Sequence, residues 1–281
     1  MKDLRSLILL CLLPVCLNSQ EPQEDLILGA MHSISSHDLL QYVRIQCDEK
    51  YQGRLTGTPE YQECAEWLAG QFRDWGITPA GDNGSWFQWF SVPYTLVFPD
   101  CGVEMHLTQK DGSEILKSYK YVTEYMPGST SGNGVITAEV VYAGYGITAP
   151  ELGYDDYRGI DAKGKIILIE REAPVSPSEG ADKFNPWYEY SFHQYKLANA
   201  IKHGAAGMLY NYGPIANPNN DYYDNFIYVH VGDSVVKDVF AGTGRFHNEL
   251  VERINHTLKP QSFNTGKKVT IRMSTKHFPD G

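Results

Sequence analysis

The sequence has few of the residue patterns that announce chemistry. It holds five cysteines in 281 residues, with no Cys-x-x-Cys pair. Nine histidines are present, yet none stands in a His-x-x-x-His or His-x-Asp arrangement, so the usual spacing of zinc ligands is missing. No Glu-Glu dipeptide occurs. A nucleophile elbow of the Gly-x-Ser-x-Gly type is absent too: its nearest approach, Gly128 to Gly132, carries Thr130 at the centre. Gly164-Lys165 runs into Ile166 without an upstream glycine, which excludes a phosphate loop. Positive charge is scarce, with 24 Lys and Arg against 34 Asp and Glu and a formal net charge of -10. A chain so balanced, without a basic cluster, is not built to hold nucleic acid. Past the first twenty residues no apolar run is long enough to span a bilayer.

The first stretch, MKDLRSLILLCLLPVCLNSQ, sets Lys2 and Arg5 ahead of an apolar block from Leu7 to Leu17. That pattern predicts a secretory signal over residues 1–19, removed to leave a secreted or periplasmic protein. Cys16 offers lipoprotein anchoring as the alternative, which the bulk of Val15 before it disfavours. Beyond the leader remain Cys47, Cys64 and Cys101. An odd number leaves room for one disulfide, such as Cys47 with Cys64, and excludes a disulfide framework.

The rest of the chain, 42% hydrophobic overall, is long enough for one large or two ordinary domains. Leu39, Leu40, Val43 and Cys47 recur at helical spacing from Ser36 to Tyr51, with Ser36 or Asp38 available as a cap. A second helix is better marked. Thr58 is its N-cap, Pro59 its first residue, Glu60 lies at the positive end of the dipole, and Gly76 follows the finish. Tyr61, Cys64, Ala65, Leu68, Phe72 and Trp75 make its apolar stripe. Strands are expected over Trp86–Val97, Cys101–Leu107 and Glu114–Tyr119, the last two joined by an Asp111-Gly112 turn. The small polar run GSTSGNG, residues 128–134, reads as a linker or domain entry point.

Composition changes after it. VITAEVVYAG predicts a strand, Leu152–Lys163 a turn-rich loop, GKIILIERE a buried strand, Trp187–His203 a helix ended by Gly204, and GMLYNY a further strand. Strand-helix-strand order favours α/β packing. A strand at Asn225–His230, helices near Ser234–Ala241 and Phe246–Leu258, and a half-buried strand around Val269, Ile271 and Met273 complete the pattern.

Individual residues offer little catalytic direction. His193 and His203 share a helix but lie too far apart to ligate one metal. Asp155, Asp156 and Asp161 cluster in YDDYRGIDAKGK, where the ordered ligands of a calcium loop are missing and turn-capping is expected. Asn83-Gly-Ser85 and Asn255-His-Thr257 have the form of glycosylation acceptors. Tyr222, Tyr223 and Tyr228 fit packing or a binding surface. Arg54 stands between glycines, but Gly53, Gly57 and Thr58-Pro59 give its surroundings a helix-starting role.

Two quoted stretches, taken in order, nonetheless resemble one family. YQGRLTGTPEYQECAEWLAGQFRDWGITPAGDNGSWFQWF, residues 51–90, is similar to the start of secreted or periplasmic zinc-dependent aminopeptidases, the family related to glutamate carboxypeptidase and the transferrin receptor. VVYAGYGITAPELGYDDYRGIDAKGKIILIERE with YKLANAIKHGAAGMLYNY is similar to their inserted protease-associated (PA) domain, which helps shape the substrate cleft. The resemblance implies an α/β fold with mixed strands and helices: an N-terminal peptidase segment over residues 20–130, a PA domain over 131–262, and a returning peptidase strand over 263–281.

Complete members carry two zinc ions on a His-x-Asp segment, a bridging Asp, a Glu-Glu pair and a further Asp and His. None of these maps onto this sequence, so no catalytic or metal-binding residue is assigned here. The expectation is an N-terminal portion of a zinc exopeptidase acting on peptides or proteins, inactive alone and holding no cofactor. The alternative is a non-catalytic PA-domain protein that binds peptides or a protein partner.

Overall fold

The computed structural model describes residues 21–109, 111–215 and 221–280. The expected leader and Cys16 lie outside the described residues. The described residues form two compact units, one up to Phe90 and one from Ser91. The break falls between Phe90 and Ser91, well before residue 130, where composition changes.

The first unit holds helices α1 (Glu21–His32), α2 (Ser36–Gln46) and α3 (Pro59–Asp74). The cap of α2 is Ser35, whose hydroxyl accepts from Asp38 N, one residue ahead of the expected position. Thr58 caps α3 as its sequence predicts, accepting from Tyr61 N, and Gly76 beyond it takes the left-handed conformation. Tyr42 of α2 meets Trp67 and Trp75, and Phe72 meets Trp75 and Trp86. Few of the described side chains in this unit leave solvent: the buried apolar residues among them are Tyr51, Cys64 and Ala69. Of the α3 stripe only Cys64 is fully covered, while Tyr61 and Trp75 remain exposed.

The second unit runs β1 (Tyr94–Val97), β2 (Gly102–Thr108), β3 (Glu114–Ser118), β4 (Tyr125–Pro127), β5 (Gly134–Tyr142), β6 (Thr148–Ala149), β7 (Tyr154–Asp155), β8 (Ile166–Glu170), α4 (Ala181–Phe184), α5 (His193–Lys202), β9 (Gly207–Asn211), β10 (Ile227–Val231), α6 (Asp233–Phe240), α7 (His247–Thr257), β11 (Phe263–Met273) and β12 (Thr275–Phe278). Eight strands form one mixed sheet in the order β3-β2-β11-β5-β8-β9-β10-β4. Its centre, β5-β8-β9-β10, is parallel, and antiparallel strands flank it on both sides. This is an α/β fold.

The alternation of β8 shows how the layers arise. Ile166 and Leu168 point into one apolar cluster with Val235, Val239 and Phe240 of α6 and Leu250 and Ile254 of α7. Ile167 and Ile169 point into the other, with Leu197 and Ala200 of α5. A strand covered on both faces must be apolar at every position, hence IILI without polar interruption. At about 25 cal/mol per Å² of apolar surface removed from water, these two layers supply most of the driving force for this unit.

Three expectations are corrected. Trp86–Val97 is a strand only from Tyr94, because β12 pairs with four residues there and Pro93 has no N–H to give a ladder. The helix expected from Trp187 begins at His193, since Phe192 is extended and short 3-10 turns precede it. GSTSGNG is a packed connection. Gly128 N donates to Tyr228 O at 3.1 Å and Gly132 N to Phe226 O at 2.9 Å, while Ser131 is fully buried. Its glycines serve close approach: a Cβ on Gly132 would lie 2.8 Å from the Tyr223 carbonyl oxygen.

Candidate functional site

The turn-rich stretch between β5 and β8 is organised around two buried charges. Asp156 is fully buried; its Oδ2 accepts from Tyr145 N at 3.0 Å and Ile147 N at 3.1 Å, and its Oδ1 from the Tyr154 hydroxyl at 2.8 Å. Lys196, on α5 and equally enclosed, donates to the Tyr145 carbonyl. Burial pushes the Asp156 carboxyl up to about 7, opposed by the Ile147 N–H, the Tyr154 hydroxyl and the Lys196 charge. Burial pulls the Lys196 ammonium down to about 7, opposed chiefly by Asp156. Asn199, one turn along α5, donates to Gly146 O at 2.9 Å. Gly144 and Gly146 both have positive φ, and a Cβ on Gly144 would lie 2.9 Å from Asp156 Cγ.

The other two aspartates of the cluster act on their own turns. Asp155 Oδ1 accepts from Tyr157 N and from the Thr148 hydroxyl, at 3.0 and 3.1 Å. Asp161 Oδ1 accepts from Lys163 N at 3.1 Å. The three carboxylates are thus engaged separately, each by nearby donors.

A second polar centre lies at the end of β8. Glu170 Oε1 lies 2.6 Å from His247 Nε2, and Asn211 Nδ2 donates to Glu170 Oε2 at 2.6 Å. The Glu170 side chain is 8% exposed and that of His247 28%. His247 opens α7 and lines a groove of about 620 Å³ between α6 and α7, together with Val236, Lys237, Phe240, Arg245 and Phe246. The carboxylate fixes the imidazole's orientation, and Phe240 and Tyr142 meet the ring edge-on at 5.1 and 6.3 Å. Chemically the arrangement is a positioned imidazole on a wall that carries apolar side chains together with Lys237 and Arg245. No sequence motif flagged it, because Glu170 and His247 lie far apart in the chain and only the sheet brings them together.

The remaining histidines do not converge. His203 stacks on Tyr157 at 3.9 Å and His277 on Tyr222 at 3.8 Å. His193 and His230 lie near one another, with ring centroids 6.1 Å apart, among Tyr210 and Tyr212. His230 is fully buried on β10. Burial, then the nearby His193, pulls its pKa down to about 4, with a weaker opposing pull from the Ile215 backbone. Burial also takes His193 down to about 4. Among the described residues no three His, Cys, Asp or Glu side chains gather as a metal site. Cys47, Cys64 and Cys101 are free thiols, so the Cys47–Cys64 pairing that the sequence allows is not formed. Tyr228 lies on β10 with its hydroxyl 2.8 Å from Thr130 Oγ1, apart from the Tyr222–His277 stack.

No protein-family model matches the chain, and no curated protein matches it in sequence. Among solved structures it is similar to an aminopeptidase from Aneurinibacillus sp. strain AM-1, at 16% identity and a TM-score of 0.51 over 87% of this chain. The match takes in 45% of that aminopeptidase, so this chain spans less than half of its length. At this identity the likeness is one of fold. Among the described residues no helix is long and apolar enough to cross a membrane.

Proposed function

We propose that the chain is the N-terminal and PA-type portion of a zinc-dependent exopeptidase, exported from the cytoplasm. In this reading it frames a peptide substrate and the hydrolytic step belongs to other residues of the complete enzyme. The observation that carries the reading is the fold likeness to an aminopeptidase over 87% of this chain. The two family-like stretches in residues 51–90 and 140–212 support it independently. Two-zinc hydrolysis needs a set of carboxylate and imidazole ligands, a metal-bound water and a base. The described residues do not fit a zinc ion, because no three ligand side chains come together, and no step through the metal is assigned to them.

The test is made on the full chain, by elemental analysis for zinc together with an aminoacyl-nitroanilide assay. The expected result is substoichiometric zinc and no nitroaniline release above buffer. Stoichiometric zinc with turnover overturns the reading.

One observation favours a second reading, a non-catalytic PA-domain protein that binds peptides or a protein partner: among the described residues the second unit covers β8, β9 and β10 on both faces. On that reading residues 20–281 express as a soluble protein that unfolds cooperatively. Aggregation, or trimming down to the PA-type region alone, counts against it.

A further inference from the structure

The groove between α6 and α7 combines three features that the exopeptidase reading does not use. Its apolar lining is Phe246, 66% exposed, with the largely buried Val236 and Phe240. Its charged groups are mostly cationic, in a chain whose net charge is -10. Lys237 and Arg245 line it and have no ion pair among the described residues, Arg245 stacking instead over Phe263 at 4.1 Å. His247 is held there by Glu170, and Asp233 is the one acidic lining residue. Finally, the groove takes in the first residues of α7, a helix of 11 residues whose N-cap, Phe246, supplies no side-chain hydrogen bond. Among the described residues no N-cap side chain accepts from the first-turn N–H groups, which carry the positive end of the helix dipole. Glu249, the acidic residue of that turn, does not line the groove.

An apolar trough with two unpaired cations and an uncapped helix N-terminus fits a ligand that is anionic at one end and apolar beside it. A volume near 620 Å³ suits a ligand of a few residues. We propose that this groove binds the free carboxyl terminus of a short peptide whose last side chain is apolar. The carboxylate lies toward Arg245, Lys237 and the start of α7, and the side chain lies against Val236, Phe240 and Phe246. The proposal does not rest on the exopeptidase reading, because the groove is built wholly from residues 233–248.

The test uses the full chain in isothermal titration with an N-acetylated Leu-Leu dipeptide bearing a free carboxylate. The probes set against it are the same peptide as its C-terminal amide, an acetylated Gly-Gly dipeptide, and inorganic phosphate. Saturable binding of the Leu-Leu carboxylate is expected, with the amide weaker by about tenfold or more, since it removes the charge the site is arranged to meet. The double variant Lys237→Gln, Arg245→Gln is expected to weaken binding by a similar factor. Because Arg245 also stacks on Phe263, Lys237→Gln alone is measured as well, with circular dichroism to verify the fold of each variant; it is expected to reduce affinity at an unchanged melting temperature. The proposal is overturned by equal binding of amide and carboxylate, by equal binding of Gly-Gly, by phosphate binding as tightly as the peptide, or by no saturable binding at all. Zinc content and peptidase activity do not enter this measurement, so its failure and the failure of the exopeptidase reading are separately visible.

Discussion

Asp156 and Lys196 take hold of the same peptide segment through its opposite polar groups: the Asp156 carboxylate accepts from Tyr145 N at 3.0 Å, and the Lys196 ammonium donates to the Tyr145 carbonyl. The segment Ala143–Ile147, a turn with two positive-φ glycines, is thereby fixed against α5. Removing either charge leaves the other enclosed without its counterpart. Asp156→Ala and Lys196→Met are each expected to destabilise the protein by about 3 kcal/mol or more. Asp156→Ala with Lys196→Met should cost less than the sum of the single changes. Urea unfolding followed by tyrosine and tryptophan fluorescence measures this. Additive costs would show that the two charges act independently.

Gly144 provides a sharper test of the same turn. At φ 47° it already disfavours a side chain, and a Cβ there meets the Asp156 carboxyl group. Gly159, at φ 83°, has nothing within 4 Å of its Cβ position. Gly159→Ala should therefore cost only the left-handed strain, about 1–2 kcal/mol, and Gly144→Ala clearly more than that. Equal losses in denaturant midpoint would mean that the close approach to Asp156 does not constrain the turn.

His230 sets a pH dependence. Its ordinary pKa of 6.5 falls to about 4 in the fold because the buried ring resists charging. Between those values the unfolded chain binds a proton that the folded chain does not. Stability from this residue is fully present above pH 6.5 and is lost as pH falls toward 4, by up to about 3 kcal/mol. His193 acts in the same direction. Thermal melts from pH 7.5 to 4 should show the decline, and His230→Phe should flatten it. An unchanged slope in that variant would assign the acid loss to other groups.

The two units should differ in resistance to opening. Among the described residues up to Phe90 the buried apolar side chains are Tyr51, Cys64 and Ala69, while β8, β9 and β10 of the second unit are enclosed on both faces. Local opening follows the scarcity of buried contacts. Limited proteolysis is expected to cut first within residues 21–90, and amide exchange there should outpace exchange in β8 and β9. First cuts inside the large sheet would contradict this.

Local sequence patterns were legible wherever the cause was local. Thr58, Pro59 and Gly76 specify the two ends of α3 through capping and dipole effects that need no distant partner. The run Ile166 to Ile169 reveals a strand covered on both sides. GSTSGNG was opaque for the opposite reason: small residues serve a flexible linker and a tight contact equally well, and only the position of Tyr228 distinguishes them.

By itself the sequence determined helix caps, strand apolarity, an acidic chain without metal-ligand spacing, and the order of family-like stretches, since each depends on neighbours along the chain. Tertiary structure alone decided that Asp156 faces the backbone of residues 145–147, that Glu170 meets His247, and that the first turn of α7 opens onto a cationic, apolar groove. Those juxtapositions join residues separated by as many as 77 positions, and hydrophobic patterning carries no information about which buried polar group will meet which.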